Sequence, residues 1–296
     1  MVSDLIIAQL LGGLGNQMFQ YAAGRALSIE RGQALHLDVS GFTDYGLHQG
    51  FELARVFRST FSTATEAEVR ARLGWQSSSR VRRTLSRPGF AWLRSKNMVV
   101  EPHFHYWAGL SEASRNCYML GYWQSPKYFA KHASIIRSEF DFKPIRDHRN
   151  ARIAKQIGEV NAVSVHVRRG DFVNSQVTNE KHGVCSIEYY RDATRYLLER
   201  VESPHFFIFS DDIEWAKENL LIEAPRLYVD HNVGANSYID MYLMSLCQHN
   251  IIANSSFSWW AAWLNKHVDK IVLAPGKWFL HPINTADLLP EDWLKL

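Results

Sequence analysis

The stretch that most constrains this chain is Ser164-Val165-His166-Val167-Arg168-Arg169-Gly170-Asp171. Side chains of a strand alternate between its faces, so Val163, Val165 and Val167 form one apolar row, and Ser164, His166 and Arg168 lie opposite. A strand inside a parallel sheet is covered on both faces and is normally apolar throughout. Here one face carries an imidazole and a guanidinium, and a second arginine, a glycine and an acid follow. Two adjacent arginines at the carboxyl end of a buried strand need an anion to meet them. The alternative is a surface strand end whose arginines pair with Asp171.

The segments around it favour the buried strand. Helical pattern over 152–159 leads into a strand at 162–168, a helix at 186–201, a strand at 205–210, a helix at 211–220 and a strand at 226–230. Ile239, Tyr242, Leu243 and Leu246 then give the i, i+3, i+4, i+7 stripe of a core-facing helix. A strand at 251–254, a polar turn at 255–258, a helix at 259–266 and a strand at 270–274 complete the half. Repeated βα units of this length imply an α/β fold with a parallel sheet covered on both faces. Asp211 and Glu214 read as an acidic capping box.

The amino-terminal half opens the same way. A strand at 4–10 runs into the glycine-rich turn Leu11-Gly12-Gly13-Leu14-Gly15-Asn16-Gln17, then a helix at 18–29 and a second strand at 34–38. Gly13 and Gly15 let the backbone approach a ligand. They match the first two glycines of the dinucleotide fingerprint, and Asp38 stands where a ribose-binding acid would. The third glycine falls at Met18, too large for close helix–strand packing, which disfavours nicotinamide or flavin binding. Thr65 and Glu68 form a capping box, and Ser125 with Pro126 opens a helix expected to run to residue 139. The charged, proline-containing segment 141–150 reads as a linker. It divides the 296 residues into domains at 1–145 and 146–296, each long enough for its own core.

Composition removes several classes. Cys117, Cys185 and Cys247 are isolated and odd in number, so neither a disulfide framework nor a zinc site is indicated, and a reducing, cytoplasmic setting is expected. There is no leader-like start and no apolar run of membrane-spanning length. A net charge of +3 argues against a general nucleic-acid partner. Arg80, Arg82, Arg83, Arg87, Arg94 and Lys96 are nevertheless clustered with no acid between Ser77 and Val100. That run is a solvated basic loop or a contact for an anionic membrane surface or a pyrophosphate-bearing acceptor. His103 and His105 lack a third metal ligand. Among ten tryptophans, Trp123, Trp259 and Trp260 are candidates for stacking on sugar or for the core.

In a doubly wound sheet, ligands bind beyond the carboxyl ends of the strands. Three polar sets fall there: His166, Arg168, Arg169 and Asp171; then Ser210, Asp211 and Asp212; then Asn254, Ser255, Ser256 and Ser258, with Phe257 among them a further candidate for contact with the donor. Arginines, serines and helix amino-terminal amides suit a diphosphate. A carboxylate at Asp211 or Asp212 suits the paired N–H donors of guanine. No Asp-x-Asp triplet supports a metal-bound diphosphate, so the arginines would neutralise the leaving group themselves.

Residues 11–23 (LLGGLGNQMFQYA), 164–172 (SVHVRRGDF), 209–220 (FSDDIEWAKENL), 240–264 (DMYLMSLCQHNIIANSSFSWWAAWL) and 270–278 (KIVLAPGKW) together resemble the bacterial α-1,2-fucosyltransferases, and the likeness covers nearly the whole chain. The resemblance implies a GT-B-like fold of two Rossmann-type domains facing a central cleft, with GDP-fucose held by the carboxyl-terminal domain. It implies inverting transfer without a metal to the 2-hydroxyl of a terminal β-galactose on a glycan. Carried onto this chain, Arg168 stabilises the departing GDP, and His166 and Asp211 or Asp212 meet the guanosine. Ser255 and Ser256 bind phosphate oxygens, and Asn16 orients fucose or the attacking hydroxyl. Asp171 or Asp38 would serve as base, Asp171 being ranked first. Related α-1,6- and protein-O-fucosyltransferases share the His-x-Arg core, so that core alone does not set the linkage.

Overall fold

A computed structural model describes residues 4–42, 49–170 and 183–296. Its chain separates into two compact units, Met1–Lys143 with Asn284–Leu289, and Pro144–Ile283 with Pro290–Leu296. The sequence pattern predicts one boundary, at 145/146; the chain crosses between the units at 143/144 and twice more around the short return at 284–289.

The first unit holds a four-stranded parallel sheet in the order β2-β1-β4-β3, made of β1 (Leu5–Gln9), β2 (Ala34–Asp38), β3 (Met98–Val100) and β4 (Tyr118–Leu120). Sequence pattern does not reveal β3 and β4, because three residues are too few to show a period. Helix α1 (Leu14–Arg31) connects β1 to β2 and begins four residues earlier than the pattern suggests, which places Asn16 and Gln17 in its first turn. Met18 is fully buried, so the position that would carry the fingerprint's third glycine is filled by core. Further along are α2 (Leu53–Val56), α3 (Glu66–Leu73), capped by the Thr65/Glu68 box as expected, and α4 (Ser79–Leu85). The helix expected from Ser125 to 139 is broken into two 3₁₀ turns, Pro126–Tyr128 and Ala130–His132, before α5 (Ala133–Glu139).

Asp38, at the end of β2, is 2% exposed and is not a free base. Arg82 of α4 pairs with it at 3.2 Å, the Tyr118 hydroxyl donates to it, and the Ser40 amide donates to Oδ1 at 2.9 Å. Arg82 also lies over the Tyr118 ring. The interaction pins the basic segment to the sheet edge.

The second unit begins with α6 (His148–Gly158), capped by Asp147, so the presumed linker is partly helix. It carries β5 (Asn161–Val167), α7 (Ile187–Leu198), β6 (Pro204–Ser210), α8 (Ile213–Asn219), β7 (Arg226–Val229), α9 (Tyr238–Leu246), β8 (His249–Ile251), α10 (Ser256–Leu264), β9 (Val272–Ala274) and β10 (Leu294–Lys295). All six strands are parallel, in the order β7-β6-β5-β8-β9-β10. Numbered within the unit this is 3-2-1-4-5-6, a doubly wound sheet whose strand order reverses between β5 and β8.

The alternation in β5 decides its packing. Val163, Val165 and Val167 are fully buried against Tyr190, Ala193 and Leu197 of α7 and Ala216 of α8. Ser164 on the other face accepts from Asn250 Nδ2 at 2.7 Å, and the same amide nitrogen reaches the Met244 carbonyl of α9 at 2.9 Å. Trp259 and Trp260 are fully buried beside Trp263, and Trp123 in the first unit is 1% exposed. The three tryptophans are core, and none offers a face to sugar.

Two stability predictions follow from these cores. Removing Arg82 leaves the Asp38 carboxylate buried without its cation, so Arg82→Ala should lose about 3–5 kcal/mol in urea denaturation. In α9, burial raises the Asp240 carboxyl to about 7 while Asn232 Nδ2 donates to it at 2.7 Å. A raised carboxyl favours the protonated fold, so this stability is complete below pH 4 and is lost as pH rises through 7. Asp240→Asn keeps the acceptor without the ionisation. Its melting temperature relative to wild type should therefore climb between pH 5 and 8; a constant difference would contradict the assignment.

Candidate functional site

The carboxyl edge of the second unit's sheet gathers most of the residues singled out above. Strands β8, β5 and β6 are adjacent, and the segments leaving them carry Asn254–Phe257, Arg168–Gly170 and Ser210–Asp212. Strand-order reversal between β5 and β8 leaves a crevice there, because the connections leave to opposite faces.

His166 and Phe257 stand on the two sides of that reversal, with ring centroids 5.7 Å apart. His166 is 5% exposed, and burial with the nearby Arg168 charge lowers its imidazole pKa to about 3, so it is neutral. Its Nδ1 has no hydrogen-bond partner among the described residues. The Tyr190 hydroxyl donates to its carbonyl at 3.1 Å, fixing the strand end from the helix side.

Arg168 and Arg169 have different environments. Arg168 Nη1 lies 3.1 Å from Asp211 Oδ2, and both side chains are about a quarter exposed. The other oxygen of Asp211 accepts the Arg169 amide at 2.8 Å. Asp211 thus couples the end of β6 to the end of β5 and sets the direction of Arg168. Gly170 packs closely beside it, since a Cβ there would lie 3.0 Å from Asp211 Oδ2 and the carboxylate would have to shift by a few tenths of an ångström. The Arg169 guanidinium stacks 3.9 Å above the Trp215 ring, with Nε 3.5 Å from Asp212 Oδ2. Asp212, rather than Asp211, caps α8 by accepting from the Trp215 amide at 3.3 Å. Arg169 and Asp212 therefore have structural engagements, and Arg168 is the more exposed cation of the pair.

The expected polar turn at 255–258 is the start of α10. Ser255 is its N-cap, accepting from the Phe257 amide at 3.3 Å, and Ser256 and Phe257 form the first turn. A helix amino terminus concentrates amide donors and partial positive charge. Asn254 is buried, bonding the carbonyls of Gly183 and Trp278 at 3.2 and 3.3 Å, so it holds two loops in place. Asp171 lies outside the described residues.

The first unit has a separate polar cluster at its own strand ends. Gly12 has φ +78°, and a Cβ on it would come within 2.5 Å of Asn16 Nδ2. The glycine that the turn requires is therefore Gly12, beside the expected Gly13 and Gly15. Gly13 is the N-cap of α1 and its carbonyl accepts the Asn16 and Gln17 amides; Gly15 is buried in the first turn. Asn16 Oδ1 accepts from Gln124 Nε2 at 2.7 Å. Gln17 and Gln20 lock this turn to its surroundings, bonding Gly12, Gly50 and Glu52 in one case and Leu11 and Gly121 in the other.

Sequence reasoning passes over Glu101, which follows β3. It accepts the Tyr122 and Trp123 amides at 2.7 and 3.0 Å and supports Trp123, whose φ is +55°. Burial raises its carboxyl to about 7. The only signal in the sequence is its place as the first acid after a long basic run. His103 and His105 stack on each other at 3.6 Å instead of converging on a metal.

The chain is similar to several known proteins. An α-1,2-colitosyltransferase of Escherichia coli is 37% identical over 99% of both chains. A galactoside α-(1,2)-fucosyltransferase 1 of Saimiri boliviensis boliviensis is 28% identical over 86% of this chain and 63% of its own. The α-1,6-fucosyltransferase NodZ, solved after soaking with GDP-fucose, superposes over 88% of this chain and 92% of its own with a TM-score of 0.54 and 16% identity, a likeness of fold. The fold is α/β and GT-B-like, as the sequence resemblance implied. Residues 91–295 match the model of glycosyl transferase family 11, and with the full-length relative this establishes that the chain belongs to that family.

Proposed function

We propose that the chain transfers fucose from GDP-fucose to the 2-hydroxyl of a terminal β-galactose on a glycan, with inversion and without a metal. The observation that carries this reading is Arg168, held by Asp211, at the β5 end beside the α10 amino terminus. A diphosphate at the β5/β8 reversal would meet a guanidinium from one strand and helix amides from the next. As the fucosyl C1–O bond breaks, charge collects on the β-phosphate, and Arg168 stabilises it in a site where no solvent need reorganise. The galactose hydroxyl attacks C1 from the opposite face, and its proton passes to a base, the role proposed for Asp171. Neutral His166 adds no positive charge and leaves Nδ1 available to the nucleotide.

The colitosyltransferase likeness supports a second reading of the donor. Colitose is 3-deoxyfucose, so the two sugars differ by one hydroxyl. A site built to hydrogen-bond that hydroxyl would reject colitose by roughly 10⁴-fold, whereas an apolar site would separate them by only about 10²-fold. Competing the two GDP-sugars for one galactoside acceptor distinguishes the readings: higher kcat/KM for GDP-fucose supports the first, the reverse supports the second.

GDP release from GDP-fucose should be stimulated by lactose and persist in excess EDTA, giving a product whose linkage is α-1,2. Loss of turnover in EDTA would contradict metal independence. Arg168→Ala should lower kcat on the order of 10²–10³-fold, the scale for one lost charge-stabilising donor; retention of half the activity would remove Arg168 from the role.

A further inference from the structure

The basic segment of the first unit has a use that sugar transfer does not supply. No Asp or Glu occurs from Val69 to Val100. Of the six cations from Arg80 to Lys96, two are internal: Arg82 pairs with Asp38, and Arg94 bonds the carbonyls of Leu85, Ser86 and Arg87 at 2.7 to 3.1 Å. Arg80, Arg83, Arg87 and Lys96 are exposed and form no ion pair among the described residues. Arg80 and Arg83 share one face of α4, opposite buried Arg82 and Leu85, and Arg87 follows the helix end in extended backbone before the next 3₁₀ turn.

Exposed aromatics lie on the two turns that flank α4. Trp75, on the 3₁₀ turn Gly74–Ser77, is 68% exposed. Trp92 is 80% exposed and Phe90 38% exposed on the 3₁₀ turn Pro88–Leu93. Gln76 ties the two turns together, donating to the Leu93 carbonyl at 2.8 Å and accepting the Ser95 amide at 2.9 Å. With Arg94 closing the end of α4, the surface is held in shape. Large aromatic side chains exposed to this degree lose free energy to water. Three exposed aromatics on turns tied together by Gln76, within a segment whose charges are all positive, mark a contact surface.

We propose that this face of the first unit docks on an anionic phospholipid bilayer, with Trp75, Phe90 and Trp92 in the interface and Arg80, Arg83, Arg87 and Lys96 against headgroup phosphates. Tryptophan favours the headgroup level, where its ring is buried and its N–H remains wet. Basic side chains beside it gain from the negative surface potential. The charge complementarity selects an anionic surface. The tips protrude from turns, whereas single-stranded nucleic acid is bound along a groove with stacked aromatics. No helix among the described residues is long and apolar enough to cross a membrane, so the attachment is peripheral.

Sedimentation with vesicles tests this. Wild type should bind vesicles of phosphatidylcholine mixed with phosphatidylglycerol, bind those of phosphatidylcholine alone much less, and release as salt screens the charges. Arg80→Gln with Arg83→Gln should weaken partitioning about 25-fold, from roughly a fivefold loss per cation. Trp75→Ser with Trp92→Ser should weaken it by a similar factor through a different interaction. Both double variants alter only exposed positions and should keep the wild-type melting temperature and lactose turnover. The proposal fails if wild type does not prefer anionic vesicles, if either folded variant binds like wild type, or if polyuridylate binds more tightly than the vesicles.

Discussion

The carboxylate of Asp211 joins two strand ends that would otherwise be independent. One oxygen holds the Arg168 guanidinium and the other accepts the Arg169 amide, while β5 and β6 run in continuous parallel register behind them. A buried strand that ends in two arginines is stable only if their charge is met. Asp211 meets it in part, and the remaining exposure of Arg168 leaves a cation directed by a carboxylate yet open to an anion. Gly170 lies close enough that an added Cβ would press on the Asp211 carboxylate, so Arg168, Arg169 and Gly170 all abut one side chain.

The same arrangement explains why arginine, rather than lysine, occupies both positions. The Arg169 guanidinium carbon lies 3.9 Å from the Trp215 ring centre, a contact that suits a planar guanidinium. Arg168 keeps one fork nitrogen on Asp211 while about a quarter of its side chain stays exposed, and a planar fork suits phosphate oxygens. Across the strand-order reversal, α10 contributes a complementary donor set from the backbone, positioned by the Ser255 cap and by a helix whose tryptophans are locked in the core. Residue identity at the site therefore depends on packing well behind it.

Much of the carboxyl-terminal unit could be read in advance because its strands are long enough to alternate and its helices to show a stripe. The valine row of β5 and the polar sets at three strand ends are examples. The start of α10 was obscured because Ser255, Ser256 and Ser258 look like a turn; only the Ser255 cap shows that the helix has begun. In the first unit, β3 and β4 are too short to announce themselves, and Glu101 acquires its meaning from amides more than twenty residues away. Trp123, Trp259 and Trp260 show the opposite limit, since composition cannot distinguish an aromatic that stacks on a ligand from one that fills a core. Asp38 reads as a functional acid until Arg82 and Tyr118 are seen to enclose it.

Placement of the nucleotide at the β5/β8 edge is the claim on which the proposed chemistry depends. Amide hydrogen exchange with and without GDP tests it directly. The account predicts new protection in peptides spanning 164–170 and 252–260, with none arising in the glycine-rich turn at 11–17. Protection centred on that turn instead, with the β5 and β8 ends unchanged, would contradict it.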